Sequence, residues 1–292
     1  IAHALEMLYE IEADVTLENA HSLLLNDHDM SDGLKSAKDG YPSERRRVLL
    51  DHFTHRYRNQ PPEQMGGVRE TIANYLQHFL TPDIAEVFCA GENTFDFSDI
   101  DCRKIICVAM PQKYQTELRY VNTFLKMLFY THVLRRFDKP KDQRQDDNLL
   151  ILWADEAQRF VTDSEDGMSD FNTVDVIREA KATVVAAAQS TTSFIPPLGK
   201  EKAKVLTLNL RNRIIFKAAD EDGAQESADF LGQRKVTKHS WGFSNGMTTR
   251  NYYEQEEHKI KPYVLRHLPK LVCVLVHCEK VFKRTVLPPM EP

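Results

Sequence analysis

Two acidic residues stand side by side at the end of an apolar run: Leu149 to Ala154 (LLILWA) leads directly into Asp155 and Glu156. A run that is apolar on both faces suits a buried parallel strand, and the carboxyl ends of such strands are where open α/β sheets bind ligands. In nucleotide hydrolases this arrangement is the Walker B element. The first carboxylate holds Mg²⁺, usually through water, and the second orients and polarises the attacking water; a rigid strand end supplies the placement that phosphoryl transfer requires. The plain alternative makes Asp155 the cap of a following helix and puts Glu156 in its first turn. The motif alone does not choose between the two.

Thirty-four residues after Asp155, the run Thr183 to Ala188 (TVVAAA) ends in Gln189, Ser190 and Thr191. If the two strands are neighbours, the Gln189 amide reaches the ligand that Glu156 serves, where it can hydrogen-bond a terminal phosphate or the attacking water. Otherwise Gln189 caps whatever follows its strand. Phosphoryl transfer also needs positive charge against the developing negative charge, and Arg178, Arg211 and Arg213 are the candidates. In ring-shaped motors such an arginine comes from the neighbouring subunit, but each of these three also fits a solvated or salt-bridged surface.

No G-x-x-x-x-G-K-S/T phosphate loop occurs in the 292 residues. Gly199-Lys200 comes nearest, with Phe194 five positions before the glycine and Glu201 after the lysine. Gly66-Gly67, ahead of a helix, suggests a turn and N-cap, or else a small anion nest. His52 with His55, and Cys273 with His277 and Cys278, lack the second well-spaced pair of a zinc site. Trp241, Phe243, Tyr252 and Tyr253 alternate with Lys238, Arg250 and Lys259 in a composition that can stack bases, although an ordinary β surface is the plainer account.

The elements that must hold these groups follow from periodicity. Up to about Cys89 the pattern is helical: Ile1, Leu5, Leu8 and Ile11 recur at helical spacing, as do Val68, Ile72, Leu76 and Phe79. From Gly91 the pattern alternates, with strands expected at Ile105 to Met110, Leu149 to Ala154, Thr183 to Ala188 and Ile214 to Ala218. Helices are expected at Glu117 to Phe137, Phe171 to Lys181 and Ala224 to Leu231, the last ended by Gly232. Such alternation argues for an α/β domain with a parallel sheet. A Ser244-Asn245-Gly246 turn and strands at Leu271 to Val276 and Val281 to Val286 make a short β tail. The expected division is an all-helical domain, 1–92, and an α/β domain, 93–292.

Composition sets the outer bounds. Apolar residues are 42% and charged residues 28%, which excludes wholesale disorder and fibrous repeats. A net charge of −5 argues against coating duplex DNA by bulk attraction, and leaves room for a local basic channel. Five cysteines do not make a disulfide framework, so a reducing, cytosolic setting is expected. No stretch is long and apolar enough to span a bilayer. The chain opens on Ile1 within a helical pattern, so a fragment of a longer protein is expected.

The succession LLILWADEAQRF, VIREAKATVVAAAQSTT and LNLRNRIIFKAADEDGAQESADFLG resembles the motor domain of type IV secretion coupling proteins, the TraD/TraG group within the FtsK/HerA superfamily of hexameric ATPases. The step Val264-Leu265-Arg266-His267-Leu268-Pro269 into a last β pair fits as well, and the similarity runs from about Phe95 to Pro289. The resemblance implies a RecA-like P-loop ATPase core with an all-α domain, using ATP and Mg²⁺ and assembling as a homo-hexamer around DNA. It would deliver DNA or nucleoprotein to a secretion channel together with relaxosome partners, at the cytoplasmic face of a bacterial inner membrane. It gives Asp155 and Glu156 the Walker B roles, with Mg²⁺ held through water by Asp155, and gives Gln189, beside Ser190, the sensor role. The absent phosphate loop and membrane anchor sit early in full-length members. The rival expectations are a soluble HerA-like translocase or channel-base secretion ATPase, and, in another class, a non-catalytic docking module. A metal-dependent nuclease on Asp155 and Glu156 lacks a supporting carboxylate cluster.

Overall fold

The helical start follows from its apolar spacing and its caps. In the computed structural model, α1 (Ala2–Glu10), α2 (Leu17–Leu25), α3 (Asp27–Asp39), α4 (Glu44–Asp51), α5 (Pro62–Leu76) and α6 (Pro82–Phe88) fill this region. Thr16 Oγ1 accepts from Asn19 N at 3.0 Å, Asn26 Oδ1 from His28 N at 2.9 Å and Ser43 Oγ from Arg46 N at 3.0 Å, each satisfying a first-turn amide. Pro62 and Pro82 open their helices, where a missing N–H costs nothing. Met7, Leu8, Leu23, Leu24, Leu49 and Phe53 form the core of this bundle. Gly66 and Gly67 lie inside α5, not in a turn ahead of it.

The structure describes all residues except 166, 245–246, 280–281 and 288–292. Asn245 and Gly246 of the expected turn, Val281 of the expected last strand, and Pro289 lie outside the described residues. Two compact units divide the chain, Ile1–Phe124 and Leu125–Pro292. The division falls inside α7 (Gln115–Leu134), later than residue 92.

In the second unit β1 (Leu150–Ala154) is followed by the short α8 (Asp170–Thr173), then β2 (Ala182–Ala186), α9 (Ile195–Asn209), β3 (Arg213–Ile215) and α10 (Glu221–Leu231). The expected helix over Phe171 to Lys181 is only α8 and a 3₁₀ turn, Ile177–Ala180. Thr173, Val174, Val176 and Ile177 are β-branched, which disfavours a continuous helix. α9 is kinked at Gly199, whose φ of 75° is open to glycine at little cost. Gly232, at φ 84°, ends α10.

β1 and β2 pair in parallel, Leu150 opposite Ala182 and Ala154 opposite Ala186. Two expectations about the sheet fail. Ile105 to Met110 is not a strand, and Ile105 is 93% exposed. The strand near Ile214 does not join β1 and β2; it pairs antiparallel with β6 (Val272–Val276), which pairs in turn with β7 (Phe282–Val286). Periodicity marks a segment as strand but cannot name its partner. Between them come β4 (Gln233–Ser244) and β5 (Met247–His258), a hairpin of two twelve-residue arms, and α11 (Pro262–Arg266). One core packs Ala154, Phe160, Phe194, Leu198 and Leu206 beneath β1; another packs Ala224, Leu231, Leu265, Val274 and Val276 between α10, α11 and β6.

Candidate functional site

The parallel register brings the carboxyl ends of β1 and β2 to one edge. Beyond the last strand pair, Ala187 N donates to Ala154 O at 2.8 Å and Ala157 N donates to Ala187 O at 2.9 Å, so the segments carrying Asp155 and Gln189 stay side by side as they leave the sheet. Asp155 is exposed, and its Oδ1 accepts from Glu156 N at 3.0 Å. Glu156 takes a left-handed backbone, φ 50° and ψ 43°, at a cost of about 1–2 kcal/mol for a residue with a Cβ. Its carboxylate is steadied locally: Gln158 Nε2 donates to Oε2 at 2.8 Å, and Arg159 Nε lies 3.4 Å from the same oxygen.

This geometry differs from the helix-cap alternative. Only a three-residue 3₁₀ turn, Ala157–Arg159, follows, with no side-chain cap bond from Glu156, the residue at its N-cap. On the second strand the capping falls to Ser190, whose Oγ accepts from Thr192 N at 3.3 Å. Gln189 is exposed and its amide has no hydrogen-bond partner among the described residues. The turn is braced from below by close packing: a Cβ on Gly223, in the first turn of α10, would lie 2.3 Å from Ser190 Oγ. Thr191 Oγ1 donates to Glu226 of the same helix.

A buried polar cluster fixes the loop that follows Glu156. Asp170, 6% exposed, accepts from Lys126 Nζ, from Tyr130 OH at 2.6 Å, and from Thr162 N and Oγ1 at 2.8 and 3.0 Å; Lys126 Nζ also donates to Phe160 O. Burial pulls the Lys126 ammonium below its ordinary value, opposed by the Asp170 charge, and pushes the Tyr130 hydroxyl up. Sequence reasoning passed over Lys126, whose signal was a lone lysine within the apolar run FLKMLFY.

The arginines do not join this edge. Arg178 is exposed in the 3₁₀ turn that enters β2 at its amino end, a strand length of roughly 16 Å from Gln189. Arg211 is exposed just ahead of β3. Arg213 is held within its own chain, its Nη2 donating to Thr207 O at 2.8 Å and its Nε to Leu210 O at 3.3 Å, with the guanidinium 3.7 Å from the Phe230 ring centre. Burial draws its pKa down, opposed by Glu226.

Among the described residues no group of three or more His, Cys, Asp or Glu is gathered to hold a metal ion. His52 packs edge-on against His3, and Cys273 is buried in β6. Asp155 and Glu156 with the Gln189 amide fit the water-and-metal half of a phosphoryl-transfer site. The half that grips phosphate is not encoded in these residues. Nor is any helix among those described long and apolar enough to cross a membrane.

Residues 171–283 match the family model of the type IV secretion-system coupling protein DNA-binding domain. The resemblance to coupling proteins holds. The matched stretch contains Gln189, Ser190, the three arginines and the β4–β5 hairpin; Asp155 and Glu156 precede it. Among solved structures, the bacterial conjugative coupling protein TrwBdeltaN70 in an unbound form is similar with a TM-score of 0.69 at 14% identity, over 99% of this chain and 61% of that one. The plasmid coupling protein TrwB in complex with the non-hydrolysable ATP analogue ADPNP gives 0.62 at 13% identity, over 99% and 63%. TrwB with ADP and Mg²⁺ gives 0.59 at 15%, over 94% and 57%. At such identities the likeness is one of fold: a RecA-like α/β domain with an all-α part. The present chain spans about three-fifths of the length of those proteins. Comparison with curated protein sequences yields no match.

Proposed function

We propose that this chain is the carboxyl-terminal part of an ATP-driven coupling ATPase that delivers DNA or nucleoprotein to a type IV secretion channel. The observation that carries the reading is the shared sheet edge, where parallel pairing sets an acidic pair beside an amide that has no partner among the described residues. Mg²⁺ and ATP, when bound, supply the electrophilic phosphorus and part of the charge neutralisation. Asp155 would hold the metal through water, since one of its oxygens stays free of the Glu156 amide. Glu156 would orient the attacking water and take its proton, and the Gln189 amide would hydrogen-bond the same water or the terminal phosphate. Arg178 and Arg211, both exposed, are the arginines open to a neighbouring subunit's site. Arg213 already has partners within its own chain.

A homo-hexameric ring, relaxosome and channel partners, and a place at the cytoplasmic face of the inner membrane belong to the same proposal. The test is ATP turnover of the full-length protein with Glu156→Gln. Hydrolysis is expected to be abolished while nucleotide binding persists, because the amide keeps the shape but cannot accept the proton. Unchanged turnover would exclude the motor role of Glu156, whereas absence of turnover in the parent protein would favour a docking module.

A further inference from the structure

The β4–β5 hairpin is built unlike an ordinary β surface. Its arms pair only with each other in the register Gln233 opposite His258 through Ser244 opposite Met247, and run for about 40 Å. None of its described side chains is buried on either face. A two-stranded ribbon with neither face packed is marginal in water, so its composition calls for another explanation. His258 bonds Asp229 of α10 at 2.7 Å and Lys259 N donates to Gly232 O at 2.9 Å, which anchors the base.

Charge is segregated along the ribbon. Glu254, Glu256 and Glu257 lie near the base, whereas the sixteen residues from Lys238 to Tyr253 contain no Asp or Glu, although 43 of the 292 residues are acidic. That outer half carries Trp241, Phe243, Tyr252 and Tyr253 with Lys238, His239 and Arg250. On one face, Arg250 stands opposite Trp241, and Tyr252 opposite His239. The Arg250 guanidinium sits 5.0 Å from the ring centres of both Trp241 and Tyr252, and it has no acidic partner among the described residues. Trp241 is 65% exposed and Tyr252 62%. Successive rows on this face are ~6.8 Å apart, close to two base rises of ~3.4 Å.

We infer that this aromatic and arginine ladder is a stacking platform for single-stranded nucleic acid. Exposed π faces take unpaired bases, and Arg250 takes the backbone, while Lys238 is engaged by Glu257 of the other arm. Duplex suits it poorly, since paired bases hide their faces. The inference extends the reading of DNA as partner, and it is tested without nucleotide hydrolysis.

The experiment is fluorescence anisotropy of a labelled oligo-dT with the purified 292-residue chain, across a salt series. Trp241→Ala and Tyr252→Ala are each expected to weaken binding about tenfold. Arg250→Ala should weaken it and flatten the salt slope by roughly 0.7. Trp241→Phe, which keeps a ring, should stay within a few-fold of the parent, and duplex of the same length should bind less tightly. Circular dichroism melts confirm that the variants fold. Absence of oligo-dT binding by the parent chain, or parental affinity in all three alanine variants, overturns the inference. So does a result in which the variants dissolve a dimer of the chain without changing oligo-dT affinity, which would make the hairpin a self-pairing edge. Absence of oligo-dT binding by the parent chain, with Glu156-dependent turnover of the full-length protein intact, would sink the platform alone.

Discussion

Asp170 shows how one residue can hold the site without touching it. It accepts from Lys126, Tyr130 and Thr162 beneath the loop that carries Glu156, and both it and Lys126 are almost wholly buried. Removing one partner of such a pair leaves an uncompensated charge, which typically costs about 3–5 kcal/mol. Asp170→Ala should therefore lower unfolding stability by that order in urea titrations, enough to threaten folding. Asp170→Asn keeps an acceptor for Tyr130 or Thr162 and should cost less. Equal, small effects of both would mean that water reaches the cluster. Glu156 contrasts with it at the same scale, since its left-handed backbone is a local cost at the position where the proposed chemistry needs a carboxylate.

Among the elements, two helical glycines make opposite predictions from one substitution. Gly66 sits inside α5, exposed, with open space where a Cβ would go. Gly66→Ala should raise stability by about 0.5–1 kcal/mol through helix propensity. Gly223, in α10, abuts Ser190 Oγ at 2.3 Å and Asp220 Oδ1 at 3.0 Å from its would-be Cβ. There the same propensity gain is outweighed by displacement of the turn after β2, so Gly223→Ala should destabilise. Thermal melts of both variants decide the matter, and a stabilised Gly223→Ala would mean that the turn yields freely. The elements also show what was legible. Helices α1 and α5 fall on the two apolar spacings of the helical first part, and β1 and β2 lie close to their expected runs, because burial of one face is written into spacing. The partner of β3 was not legible, because antiparallel pairing with β6 joins residues about sixty positions apart. The hairpin's bare faces were equally hidden, since alternation along a strand does not say whether anything covers it.

Across the second unit, one face of β1 is open. Ile151 and Trp153 are 53% and 72% exposed, and Leu149 beside them 60%, whereas Leu150 and Ala154 point into the core. An apolar sheet face of this kind promotes association. The chain should bind a hydrophobic dye such as ANS and self-associate with rising concentration in light scattering. Ile151→Thr with Trp153→Thr, which keeps β propensity, should reduce both. A monodisperse chain that leaves the dye dark would show the face to be covered.

The sequence alone determined the helical first part, the acidic pair and the amide at strand ends, the missing phosphate loop, and the likeness to coupling proteins. These are properties of neighbouring residues or of motif order. The tertiary structure decided that Asp155 and Gln189 share an edge, that Arg213 is already engaged, that Lys126 meets Asp170 forty-four positions away, and that none of the hairpin's described side chains is buried. Each of these depends on which distant segments pack together, and that choice is made by burial and hydrogen bonding over the whole unit.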